Sequence, residues 1–165
     1  MDHGMALALL GAGLAVFLPG IGSALGIYAA SKNATAILSE KPERYGQFFI
    51  MVVLPGTQGF YGFLDGLIAM LNLGFFAGPG KLVEVSVPMG LSILLACLPI
   101  AMAGLITAIY QGRVAAAGIL MAGKRPEMAF KAGVVYAVMV EIYAILGLLA
   151  TLFMLLFGIN WPTPA

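Results

Sequence analysis

Four long apolar runs separated by three short polar connections make up nearly the whole chain. They cover roughly residues 5–38, 46–76, 86–122 and 128–158. Each is longer than the about 20 residues that carry an α-helix across a bilayer. The pattern therefore predicts an all-α membrane protein with four transmembrane helices. Strongly polar side chains deep inside the runs are few, chiefly Gln58, Asp65, Gln111 and Glu141.

Composition supports this reading. Hydrophobic residues make up 62% of the 165 and charged residues 9%, against about 25% charged in a typical soluble domain. The net charge of +1 has no clustering that would favour nucleic acid. The single cysteine, Cys97, excludes an internal disulfide, and its setting in SILLACLPI reads as packing. The start, MDHGMALALLGAG, lacks the basic flank of a cleavable signal and reads as the first span. No GxxxxGK[ST] occurs, so the sequence offers no nucleotide-binding motif of that kind.

The basic residues set a topology. Lys32, Lys41, Arg44, Arg113, Lys124, Arg125 and Lys131 lie in or near the connections between spans 1–2 and 3–4, whereas Lys81 lies in the 2–3 connection. The positive-inside rule then places both basic connections in the cytoplasm and both termini outside. Trp161 and the terminal prolines read as an outer interfacial anchor.

The two halves look duplicated. Gly22, Ile27–Tyr28 and Ile37–Leu38 match Gly104, Ile109–Tyr110 and Ile119–Leu120 at an offset of 82, and Lys41-Pro42-Glu43 matches Arg125-Pro126-Glu127 at 84. We expect a first hairpin at 1–76, an outer loop at 77–85 and a second hairpin at 86–165. Continuing the second offset sets Glu141 opposite Thr57, so the first hairpin lacks a carboxylate there.

Glu141 is the most informative residue. It is the only charged side chain between Lys131 and the C-terminus, and a charge at the centre of a membrane helix costs roughly +2.5 to +3.5 kcal/mol on insertion scales. Such a group persists beside a partner, a water path or a bound cation. At 1.5 Å per residue, Gln58 lies about 23 Å beyond Glu43, Glu141 about 21 Å beyond Glu127 and Gln111 about 20 Å before Lys124. The three fall at one depth. Tyr61 shares a helix face with Thr57 and Gln58.

Pro55 adds backbone to this set. It has no N–H, so it frees the carbonyl four residues earlier and bends the helix, leaving oxygens around Met51–Leu54 as ligands. A carboxylate, two amide oxygens, a hydroxyl and a carbonyl suit a hard cation. A proton carrier would need only the carboxylate and one or two donors.

The segments LPGTQGFYGF, IYQGRVAAAG and MVEIYAILG resemble the duplicated, four-helix proteolipid (K or c) subunit of prokaryotic V-type ATPases, in particular its sodium-pumping branch. The resemblance implies a homo-oligomeric rotor ring turning in the lipid of a prokaryotic plasma membrane against a stator subunit. It implies Na⁺ ligands at Leu54 (carbonyl), Thr57, Gln58, Gln111 and Glu141, with Tyr61 bonded to the carboxylate. Loops 39–46 and 122–128 are then the surfaces for the central stalk, and each copy of the chain carries one ion. H⁺ as coupling ion is the alternative, and a small pore or carrier, or a structural scaffold, the readings from other classes. Asp65 departs from the family pattern, which usually has an apolar residue there. It is expected to pair with a neighbouring helix or sit near the outer interface, with a step on the outer ion path as the second reading.

Overall fold

In the computed structural model, which describes residues 2–78 and 81–162, all four apolar runs are helical. The first is one unbroken helix, α1 (His3–Leu38). The second is divided: α2 (Tyr45–Val53) and α3 (Thr57–Asn72) flank a 3₁₀ turn at Leu54–Gly56. The third is α4 (Val87–Lys124), capped by the Ser86 hydroxyl accepting from the Met89 N–H at 3.4 Å. The fourth opens on a π-helical turn at Ala129–Val134 and continues as α5 (Val135–Phe157). No strand occurs among the described residues. The expected outer loop at 77–85 and the terminal prolines lie partly outside the described residues.

α1 and α4 run side by side in the same direction, at a separation only glycine allows. A Cβ on Gly11 would meet Leu94 Cα at 2.6 Å, one on Gly22 the Leu105 carbonyl at 2.5 Å, and one on Gly112 the Gly26 Cα at 2.3 Å. The matched residues Gly22 and Gly104 thus work in the same seam, Gly104 against Pro19. Small residues permit this approach because helix association in lipid rests on van der Waals contact.

Spans 2 and 4 pack against this inner pair. Gly62 and Gly66 of α3 approach the carbonyls of Ala15 and Ala12 of α1, and Gly147 of α5 approaches Ala103 and Pro99 of α4. The two basic connections are tied together: Arg44 donates to the carbonyls of Ala122 and Gly123 at 3.0 and 3.1 Å, and Gln47 to that of Pro126 at 2.8 Å. Between two apolar clusters, one towards each end of the bundle, lies the polar layer. Phe60, Phe63, Met139, Tyr143 and Leu146 present an exposed apolar surface.

Candidate functional site

The local break at Pro55 builds one wall of the site. Without an N–H, proline cannot continue the α-helical ladder, and the chain tightens to 3₁₀ at Leu54–Gly56 before α3 begins. The Thr57 hydroxyl donates to the Leu54 carbonyl at 2.8 Å and to Gln58 Oε1 at 3.4 Å. The Gly59 N–H donates to the Ser23 hydroxyl of α1 at 2.9 Å. Irregular backbone is tolerated at membrane depth where it is buried in protein and its groups find partners.

Across from this turn, α4 and α5 supply the rest. Glu141 is 7% exposed, and Gln58 and Gln111 are fully buried. Tyr61 donates its hydroxyl to Glu141 Oε1 at 2.5 Å, and Gln111 donates through Nε2 to Oε2 at 2.9 Å. The same Gln111 nitrogen reaches the Ala137 carbonyl at 3.0 Å, while Gln111 Oε1 accepts from Gln58 Nε2 at 2.6 Å. One connected network therefore runs from the 3₁₀ turn through α3 and α4 to the carboxylate on α5.

The structure brings all six singled-out residues together: Leu54, Thr57, Gln58, Tyr61, Gln111 and Glu141. None of the groups bonded to Glu141 is cationic, so the donors orient the carboxylate without neutralising it. Two groups were not singled out from sequence. Ala137 lies one turn before Glu141 on the same face, a spacing that was legible. Ser23 was detectable as a hydroxyl in an otherwise apolar stretch of span 1. Arg113 turns away from the site, its guanidinium over the Tyr110 ring at 5.2 Å.

As a cation site the donor set is all oxygen: one carboxylate, two amide oxygens, one hydroxyl and one main-chain carbonyl. Among the described residues no group of three or more His, Cys, Asp or Glu could hold a metal. That chemistry fits a hard monovalent ion bound with a single compensating charge. Turning the Gln58 and Gln111 amides over would present both oxygens to such an ion, at the cost of the amide bonds they now make.

Asp65 is separate from this network. It is fully buried in the bundle, and neither of its carboxyl oxygens has a hydrogen-bond partner. The expected pairing with a neighbouring helix is therefore corrected. It lies seven residues, two helical turns, beyond Gln58 along α3.

A family model for the C subunit of ATP synthase matches the chain twice, over residues 10–69 and 94–154, each stretch taking in parts of two spans. The chain is 44% identical over 155 residues to the V-type sodium ATPase subunit K of Enterococcus hirae, a match covering 94% of each protein. It is 35% identical over 151 residues to the A-type ATP synthase subunit K of Methanocaldococcus jannaschii, covering 90% of this chain and 61% of that protein.

Proposed function

The chain belongs to the ATP synthase C-subunit family, and from that premise we propose that it is a rotor-ring component of a V-type ATPase that binds and translocates Na⁺. The observation that carries this reading is the convergence of Glu141, Gln111, Gln58, Thr57 and the Leu54 carbonyl on one buried level. The sodium specificity in the name of the Enterococcus hirae relative supports the choice of ion.

The chemistry follows from the surroundings of the carboxylate. A lone ionised Glu141 in hydrocarbon is costly, and a bound cation removes that cost. Oxygens from α3, α4 and α5 replace the ion's water, and the Tyr61 hydroxyl keeps the carboxylate turned inward. Release requires a wetter or oppositely charged surrounding, which a stator subunit supplies as the ring turns past it. The first hairpin contributes ligands without charge and the second contributes the carboxylate, so each copy of the chain carries one ion per turn. Loops 39–46 and 122–128, tied by Arg44 and Gln47, form the cytoplasmic face for the central stalk, with both termini outside.

The test is labelling of Glu141 by a lipid-soluble carbodiimide, which takes up the acid's proton and is then attacked at its central carbon by the carboxylate oxygen. Proton and Na⁺ compete for one carboxylate, because a ligand must be deprotonated to bind metal. Sodium should protect Glu141, and protection should require more Na⁺ as pH falls. Labelling indifferent to Na⁺ would reject the sodium assignment in favour of H⁺.

A further inference from the structure

Asp65 differs from every other buried polar side chain among the described residues in leaving both of its oxygens without a partner. It lies seven residues, two turns, beyond Gln58, and so shares the side of α3 from which Gln58 reaches Gln111 of α4.

The charged and titratable groups nearby do not compensate. From α4 the group that faces it is the buried Cys97 thiol. α1 has no titratable side chain between His3 and Tyr28. On its own helix Tyr61 is engaged with Glu141, the one acid of α5. None of the four spans carries a Lys or Arg on its outer half. An ionised Asp65 would therefore be a buried charge with neither a donor nor a counter-ion, whereas the protonated acid carries no charge to compensate.

We propose that Asp65 is a proton-binding site: a carboxylic acid that keeps its proton inside the bundle while Glu141 alone exchanges ions. The proposal holds whichever ion Glu141 carries, and it gives each subunit two intramembrane acids but one transported charge.

Infrared spectroscopy of the purified full-length protein in lipid tests this. In saturating Na⁺ at alkaline pH the exposed carboxyl groups are ionised. The carbonyl stretch of one protonated carboxyl should remain, should disappear in Asp65→Asn and should survive in Glu141→Gln. Bound Na⁺ should stay at one per subunit in wild type and Asp65→Asn alike. Absence of the band from wild type or from Glu141→Gln overturns the proposal, and these two samples decide it even if Asp65→Asn fails to assemble. A second Na⁺ that vanishes with Asp65 overturns it too, in favour of a cation site.

Discussion

Glu141 and Asp65 are both carboxyl groups buried in the same bundle, and their surroundings differ in kind. Glu141 receives a phenol and an amide, one on each oxygen, and the amide is itself held by Gln58 and Ala137. Asp65 has burial without donors. Hydrogen bonds to the charged form stabilise it, and burial without them favours the neutral form. Of two acids, only the one with a donor network is equipped to cycle between a proton or cation and a bare charge. Burial alone does not identify an ion carrier.

The most severe test removes the charge itself. Glu141→Gln should abolish ion-coupled ATP hydrolysis in the assembled complex while the ring still forms, since glutamine keeps the shape and the acceptor for Tyr61. Normal Na⁺ transport by that variant would erase the distinction between the two acids.

Next in size is Gln111→Leu. It takes one donor from Glu141 and leaves the Gln58 Nε2 group without its acceptor, and an unsatisfied buried group costs about 1–3 kcal/mol. Sodium affinity, read by isothermal titration or carbodiimide protection, should fall by roughly ten- to a hundredfold. An unchanged affinity would mean that the amide network is only packing.

Tyr61→Phe should do less. One neutral hydrogen bond is worth about 1 kcal/mol net, so a loss of roughly fivefold in Na⁺ affinity is expected, with transport retained. The smallest effect belongs to Asp65→Asn. The amide is uncharged like the protonated acid and nearly its size, so transport rate and Na⁺ affinity should stay close to wild type in coupled-ATPase and binding assays. A collapse of transport in this variant would place Asp65 on the ion path and dissolve the contrast.

Much of this was legible in the residue order. Four spans follow from run length alone, because a helix is the structure that satisfies every backbone group of a single segment within lipid. The site's depth was legible because a helix rises by a fixed amount per residue, so counting from Glu43, Lys124 and Glu127 aligned Gln58, Gln111 and Glu141. Pro55 signalled the break at Leu54–Gly56 through its missing N–H.

Other features depend on neighbours that the sequence does not order. Rotation about each helix axis decides which side chains at a shared depth touch, and it is set by how glycines seat one helix on another. Gly62 and Gly66 seat α3 closely on α1, and Asp65 between them in sequence is fully buried in the bundle. Arg113, only two residues from Gln111, points out to Tyr110 for the same reason. The sequence by itself determined the spans, the depth of the polar level and the oxygen chemistry, since these depend on local geometry and residue type. Only tertiary packing decided which donors reach Glu141 and that none reaches Asp65, since hydrogen bonds require contact across helices.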